Sequence, residues 1–296
     1  MTRAVAALLC AWLALASHAQ SPRVLDVDGH AVVLTAPARR VISLAPHLTE
    51  LMFAIGAGDR LVGTVEYADF PAQARQVPRV GDSALLDLER IVALKPDLLL
   101  VWRHGNSPQQ LDRLATLRIA TYASEARTLD DIARTLHDLG ALTALQDSAQ
   151  RRALAFDGAV SELRARYAGR RRIDVFYQIW SRPLITVNGE HLISQLLALC
   201  GARNVFADQR LLTPTVTEEA VLLADPDAIV AGWSDSYGDA PLQAWQRLRA
   251  MRAVREGHLV QVNPDLLHRQ SDRVVTGARE LCEKLDVVRD SLAPAR

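Results

Sequence analysis

The sequence has no surplus of either charge and none of the commonest catalytic signatures. Lys and Arg total 34 and Asp and Glu total 34, so the formal charge is zero. No basic field is therefore available to attract nucleic acid or an anionic membrane surface. Gly-x-Ser-x-Gly, a phosphate-cradling glycine loop and His-Glu-x-x-His are missing. Their absence removes the commonest hydrolase and nucleotide-binding signatures.

Long apolar runs are scarce as well, and the one at the N-terminus is too short to span a bilayer. It extends from Ala4 to Ala16, follows Arg3, and is succeeded by the small-residue cleavage site Ser17-His18-Ala19 before Gln20. This order predicts a signal peptide over residues 1–19 and export to the periplasm. The alternative is a retained anchor or a buried first helix.

Cysteine is the third scarce feature, with three residues in the whole chain. Cys10 lies inside the predicted signal peptide, so the exported chain keeps Cys200 and Cys282. Because thiols oxidise outside the cytoplasm, these two are predicted to pair. Closing a loop of that length would stabilise the fold by roughly 4 kcal/mol in the chain-entropy model. The alternative is two unrelated buried thiols.

One pattern is present twice in the chain. In the first copy Glu89 begins an amphipathic helical turn, Pro96 ends it, and a buried apolar strand follows and ends at Trp102. The second copy begins at Glu219 and passes through Pro226 in the same order. The repeat predicts two similar lobes, and a gap between lobes usually holds a ligand.

Strands and helices alternate in both halves of the chain. Val41 to Leu44 is a short apolar strand, and Thr49 to Ile55 is a helix with a glycine at its end. A small hairpin about Asp28-Gly29 precedes them. Repeated strand–helix units indicate a parallel sheet with helices on its faces. The sequence therefore predicts an α/β protein of two lobes, each a mostly parallel sheet flanked by helices.

A single long helix is predicted to join the lobes. Gln146 to Tyr167 contains one glycine and no proline, and its apolar residues recur at helical spacing. A helix resists bending, so it should limit how far a cleft between the lobes opens. The predicted organisation is a signal peptide, an N-terminal lobe, a connecting helix and a C-terminal lobe, over residues 1–19, 20–145, 146–170 and 171–296.

Several motifs between Arg39 and Leu285 carry a family resemblance. They are Arg39-Arg-Val-Ile-Ser-Leu-Ala-Pro46 with Thr49-Glu50, Tyr67-Ala-Asp-Phe-Pro71, Leu88 to Asp97, Trp102-Arg-His-Gly-Asn106, Cys200-Gly201, and Asp265 with Arg269, Ser271 and Arg273. On these motifs the chain resembles the periplasmic substrate-binding proteins of the helical-backbone class, and most of all their cobalamin-binding branch. The resemblance implies a monomeric receptor that holds a corrinoid between its lobes and delivers it to an ABC importer, formed by a permease dimer and its ATPase.

The resemblance also implies which residues contact the ligand. A corrin is flat and polarisable with a rim of amides, so it suits aromatic faces and hydrogen-bonding side chains. Tyr67 and Trp102 match positions that contact the corrin from the first lobe, and Asp265 and Arg269 match polar contacts from the second. Trp180 lies near another aromatic position of the family. Before the family is considered, such aromatic residues are more often packed in the core or rim, and Asp265 and Arg269 could be a surface ion pair.

Two departures and one alternative ligand class remain open. Ser83 and Thr213 stand where the cobalamin branch has tryptophans, which implies weaker binding, a different corrinoid or another ligand of similar size. The alternative is a haem, siderophore or metal-chelate receptor. It would use the loop histidines, together with Tyr67, as iron ligands. These histidines are His47, His104 and His268.

The repeated acids have a separate interpretation. Glu89 and Glu219 could simply interact with their helix dipoles. One acid at equivalent positions on each lobe also suits docking onto a two-fold transporter that offers arginines from both subunits, and the resemblance supports that role. Glu218 is an alternative for the second lobe.

The sequence as a whole favours a binding protein that is not an enzyme, with a transported ligand rather than a catalytic cofactor and with no metal site. From another class, the chain could be an extracytoplasmic sensor or an enzyme built on the same two-lobed scaffold, because a fold does not fix a function.

Overall fold

The computed structural model of the protein describes residues 21–82, 85–233 and 241–292. The predicted hairpin is present as antiparallel β1 (Arg23–Leu25) and β2 (Ala31–Val33). The first lobe follows, with a parallel sheet in the spatial order β4-β3-β5-β6. Its strands are β3 (Val41–Ser43), β4 (Leu61–Thr64), β5 (Leu98–Trp102) and β6 (Thr121–Ser124). Its helices are α1 (Pro46–Ala54), α2 (Leu88–Ala93), α3 (Pro108–Ala115) and α4 (Leu129–Thr143).

A long helix, α5 (Gln146–Tyr167), leads from the first lobe to the second. The second lobe has a parallel sheet in the order β10-β7-β11-β12. Its strands are β7 (Ile173–Gln178), β10 (Ala202–Asn204), β11 (Ala228–Gly232) and β12 (Leu259–Val262), and a small hairpin is formed by β8 (Trp180–Ser181) and β9 (Leu184–Ile185). Its helices are α6 (Leu192–Leu199), α7 (Glu218–Ala224), α8 (Arg252–Arg255), α9 (Pro264–Leu267) and α10 (Val274–Ser291). The predicted fold class, with two parallel sheets flanked by helices and joined by one helix, is confirmed.

The duplicated pattern produces the same local structure in both lobes. Just before each proline the backbone is left-handed, with φ of 47° at Lys95 and 39° at Asp225. The aspartate after each proline accepts a backbone N–H from the beginning of the strand beside it, at 3.0 Å for Asp97 and 2.8 Å for Asp227. Each copy therefore ends its helix abruptly and attaches the next strand to the sheet.

The sequence Thr128-Leu-Asp-Asp131 resembles a capping box and predicts a helix that ends at Gly140, but this predicted end is wrong. The capping box of Thr128 is present, but α4 continues to Thr143. A Cβ at position 140 would lie 2.4 Å from the Cβ of Ala149 in α5. The glycine is there because α4 and α5 pack too closely for a side chain, and not because the helix stops.

The hydrophobic core passes through both lobes. One continuous cluster of buried side chains includes Leu100 and Leu136 of the first lobe, Phe156 of α5, and Val230 and Leu281 of the second. Helix α5 contributes its buried face to this cluster along its length, since its buried residues recur at three- and four-residue spacing. The connecting helix is thus part of the core and not an exposed linker.

The predicted pairing of the exported cysteines is confirmed, because Cys200 and Cys282 form a disulfide across 82 residues of sequence. It joins the end of α6 to α10, and both residues are completely buried. The bridge therefore constrains the second lobe in the unfolded state as well as in the folded state.

Reduction should lower the free energy of unfolding by about 4 kcal/mol, because the unfolded chain regains the entropy of a long loop. Denaturant unfolding of the protein with and without reductant measures this difference. In a matched variant with Cys200→Ala and Cys282→Ala, reductant should change nothing. Two reactive thiols in the unreduced protein would contradict the bridge.

Candidate functional site

The candidate residues lie at or just beyond the carboxyl ends of parallel strands, which is where open α/β sheets bind ligands. In the first lobe these residues end or follow β3, β4, β5 and β6, and in the second lobe they follow β7, β11 and β12. In chain order they are His47, Tyr67, Trp102, Glu125, Trp180, Trp233, Asp265 and Arg269. The topology therefore brings the predicted aromatic and polar residues to the same edge of each sheet.

Tyr67 projects from the loop after β4, and its side chain is an outlier in two respects. It is 76% exposed, and its φ of 63° places an aromatic residue in the left-handed region. Bulky residues adopt this conformation at a cost, and such positions concentrate at ligand-binding sites. The loop thus holds an aromatic face in solvent, which suits a flat ligand.

Trp102 ends β5 and is half-buried in a tight turn. The side chain of Asn106 accepts the Trp102 backbone N–H at 2.8 Å and donates to the carbonyl of Leu44 at 3.1 Å, which fixes the turn on the sheet. The indole ring lies over Gly105, where an added Cβ would come within 1.8 Å of the ring carbon Cε3. The glycine and asparagine of the Trp102–Asn106 motif therefore hold the indole in place.

His47 packs edge-on against the Trp102 ring, with the ring centroids 5.2 Å apart. Burial lowers the pKa of His47 to about 3, with a further contribution from the nearby charge of Arg269. The Nε2 of His47 and the Nε1 of Trp102 are both buried without a hydrogen-bond partner in the described part of the chain. Unsatisfied polar atoms are rare in folded proteins, and here two of them belong to rings that pack against each other at the predicted site.

The second lobe contributes a cavity of ≈ 500 Å³ and a wide aromatic face. Trp180 is 57% exposed, and its Nε1 donates to the carbonyl of Arg182 at 3.0 Å, which orients the indole. The cavity is lined by Ile179, Trp180, Ser181, Arg182, Gly232, Trp233, Pro241, Pro264 and His268. Its volume lies within the range of small-molecule sites.

Asp265 and Arg269 pair with each other, with their charged atoms 3.0 Å apart. Arg269 also contacts two carboxylates of the first lobe, Glu50 at 2.9 Å and Asp69 at 2.7 Å. Burial opposes the charge of Arg269, but the hydrogen bonds that its guanidinium donates to Glu50 and Asp69 outweigh this effect and raise its pKa. The predicted ligand donor is thus already engaged across the cleft, and its contact with a ligand stays a prediction.

Glu50 is the main polar residue that the predicted site set does not contain. Its side chain is 1% exposed, and it accepts hydrogen bonds from Arg269, Ser271 and Arg273 of the second lobe. Burial raises the pKa of Glu50, and the three partners act in the opposite direction. Its position in the Thr49-Glu50 motif was the only sequence signal, because its partners are more than 200 residues away.

Two histidines of the alternative interpretation, His104 and His268, already have polar partners. Burial lowers the pKa of His268 to about 4, and its Nε2 is 3.0 Å from the Tyr177 hydroxyl. The Nδ1 of His104 contacts Glu125 at 3.1 Å. Within the residues that the structure describes, the side chains that group as possible metal ligands are Asp26, Asp28 and His30 of the first hairpin, a group that includes none of the three histidines of that interpretation.

The predicted docking acids occupy equivalent places, in the first turn of α2 for Glu89 and of α7 for Glu219. Both side chains are exposed. A hydrogen bond from its own backbone N–H, and another from Thr217, lower the pKa of Glu219. Glu218, the alternative, forms an ion pair with Arg247. The geometry therefore favours Glu219 over Glu218 as the counterpart of Glu89.

Of the two residues that depart from the family pattern, Ser83 and Thr213, the structure describes only Thr213. Ser83 lies outside the described residues, and so does the predicted signal peptide. Thr213 is exposed on the loop before α7. Of the helices in the described ranges, none is both long and apolar enough to cross a membrane.

Comparisons with known proteins agree with this geometry. A family model described as periplasmic binding protein matches residues 41–266. The vitamin B12-binding protein of Vibrio cholerae serotype O1 is 36% identical over 251 residues, which are 85% of this chain and 90% of that protein. The crystal structure of the periplasmic vitamin B12 binding protein BtuF of Vibrio cholerae has a TM-score of 0.78 and 35% identity, covering 86% of this chain and 99% of that chain.

A receptor of a different ligand has the same fold. A periplasmic heme binding protein from Pseudomonas aeruginosa has a TM-score of 0.72 at 24% identity, covering 88% of this chain and 95% of that chain. At this identity the likeness concerns the fold alone. The ligand must therefore be argued from the site and from the more similar relatives.

Proposed function

This chain belongs to the periplasmic binding protein family, and we propose that it captures cobalamin or a related corrinoid between its two lobes and delivers it to an ABC importer. The observation that carries the proposal is the 36% identity to a vitamin B12-binding protein over 85% of the chain. Exposed aromatic faces on both lobes, at Tyr67 and Trp180, support it, because a corrin presents a flat surface to each side.

The proposed role is binding without catalysis. The corrinoid is the transported ligand and no catalytic cofactor is required. We propose that the signal peptide over residues 1–19 exports the chain to the periplasm, where the two cysteines oxidise. The partner is a permease dimer with its ATPase, approached through Glu89 and Glu219 on the exposed first turns of α2 and α7.

A haem, siderophore or metal-chelate ligand is the second candidate, and one feature favours it. Tyr67 is 76% exposed, and a tyrosine phenolate is a known ligand of haem iron. Against it, His47 is buried, and the Nε2 of His268 is already engaged by the Tyr177 hydroxyl at 3.0 Å. Cobalamin needs no iron ligand and is therefore the better match to the site.

Titration of the purified exported protein decides between the two. Cyanocobalamin should quench tryptophan fluorescence in a saturable manner with one molecule bound per chain, because Trp102 and Trp180 lie at the proposed site. Haemin should give no shifted Soret band. A Soret shift with haemin and no response to cyanocobalamin would establish the second candidate instead, and no response to either would reject both.

A further inference from the structure

Residues 269–273 of the second lobe lie between α9 and α10, and four of these five residues contact the first lobe; we call them the anchor segment. Their first contact is with Glu50 of α1. Its carboxylate accepts from Arg269 at 2.9 Å, from Ser271 at 2.5 Å and from Arg273 at 3.1 Å. Three donors from one segment thus converge on one buried acid.

The anchor segment also holds the loop that carries Tyr67. The guanidinium of Arg269 donates to the Asp69 carboxylate at 2.7 Å. The guanidinium of Arg273 lies 3.5 Å from the ring centroid of Phe70, close enough for a cation–π contact. Asp69 and Phe70 are two and three residues after Tyr67, whose backbone is in the costly left-handed region. Contacts from the second lobe thus fix this loop immediately beside its exposed ring.

The same segment holds the Trp102 turn through Gln270. The amide of Gln270 donates to Glu125 at 3.1 Å and accepts the backbone N–H of Ala126 at 2.9 Å. The other oxygen of Glu125 accepts the backbone N–H of His104 at 3.2 Å and contacts its Nδ1 at 3.1 Å. A continuous path of hydrogen bonds therefore leads from the anchor segment to the turn whose first residue is Trp102.

The contacts with Glu50 and Glu125 are shielded from water, whereas the Asp69 carboxylate is 44% exposed. The side chains of Glu50, Glu125 and Arg269 are 1%, 4% and 13% exposed. Ion pairs with so little exposure are weakly screened, and removing one partner leaves the other buried and uncompensated. Asp272, in the same segment, pairs with Arg152 of α5, so the segment is also attached to the connecting helix.

We propose that the anchor segment positions both aromatic loops of the first lobe from the second lobe. Arg269, Gln270 and Arg273 act through Asp69, Phe70 and Glu125, and the Tyr67 and Trp102 faces keep their places only while the lobes stay together at this segment. The role of Arg269 is then chiefly to position the Tyr67 loop. The inference rests on the proposed function, because it relies on both the Tyr67 ring and the Trp102 ring contacting the ligand.

Double-mutant cycles on cyanocobalamin affinity test the inference. Asp69→Asn should weaken binding roughly threefold to tenfold in the otherwise unchanged protein and have little effect when Tyr67→Ala is already present. Gln270→Ala should show the same dependence on Trp102→Ala. If Gln270→Ala fails to fold, His104→Ala, on a half-exposed side chain, replaces it. In the crossed combinations, such as Asp69→Asn with Trp102→Ala, the effects should add.

A second measurement needs no ligand. Hydrogen exchange of the unliganded protein should become faster over residues 66–70 in Asp69→Asn and stay unchanged in α5. The matched control is Asp174→Asn, which removes a similar carboxylate–arginine pair with Arg203 away from these loops. It should alter neither the affinity nor the exchange of residues 66–70.

The outcomes separate the two claims. Additive effects within each matched cycle, or unchanged exchange over residues 66–70, would overturn the positioning role even if cobalamin binds. Absence of cobalamin binding by the unchanged protein would reject the proposed function, and the exchange result would still decide whether the anchor segment fixes the loops.

Discussion

Reversing the charge of both Glu89 and Glu219 to arginine should reduce corrinoid uptake by roughly 100-fold or more, because like charges brought together at an interface cost several kcal/mol. Both acids are exposed in the first turns of equivalent helices, one on each lobe. A two-fold partner can therefore meet both with the same basic surface. Binding of cyanocobalamin by the purified variant should be unchanged, since neither acid lies at the candidate site.

Uptake of labelled cobalamin by cells that lack their own receptor measures the effect. The reversal adds positive charge to a neutral protein, so the control must add as much. Reversal of Asp157 and Glu162, two exposed acids of α5, satisfies this condition and should leave uptake intact. Normal uptake by the Glu89 and Glu219 variant would remove the docking proposal, and each single reversal should give an intermediate loss.

Gly105→Ala should weaken cobalamin binding at least tenfold, a loss of about 1.4 kcal/mol. The added methyl would lie 1.8 Å from a ring carbon of Trp102, so the indole must move away from its present position. Trp102→Ala should cause a similar loss, because it removes the aromatic face altogether. The two changes should not add, since a displaced indole and a missing indole forfeit the same contact.

The matched control for this prediction is Gly158→Ala in the exposed part of α5, where an added Cβ meets nothing within 4 Å. That variant should bind normally and be more stable by up to about 1 kcal/mol, because alanine is the better helix former. Isothermal titration gives the affinities, and thermal unfolding shows whether each variant is folded. A folded Gly105→Ala protein with unchanged affinity would mean that the Trp102 ring does not touch the ligand.

The fold could be predicted largely because its signals are local. The repeated helix–proline–aspartate pattern placed Pro96 and Pro226 correctly, since a proline stops a helix whatever surrounds it. The connecting helix has the predicted bounds because its apolar spacing continues without interruption. The same type of reasoning predicted the wrong helix end at Gly140. A glycine can allow close contact with another helix as well as end a helix.

The site could be predicted only in part. Two signals identified the aromatic residues of the site: their position at or after predicted strands and the family resemblance. The structure places Tyr67, Trp102 and Trp180 at the carboxyl edges of the sheets. The partners of Arg269 could not be found this way. Glu50 and Asp69 precede it by 219 and 200 residues, and no local periodicity reports a contact across such a separation. The packing of His47 against Trp102 was missed for the same reason, because the two residues are far apart in the sequence.

The core that passes through both lobes has a consequence for heating. Two halves with separate interiors could melt one after the other, each with its own transition. Here Leu136, Phe156 and Leu281 belong to one apolar interior, so neither half can lose its structure without exposing side chains of the other. The molecule should therefore denature as a single cooperative unit.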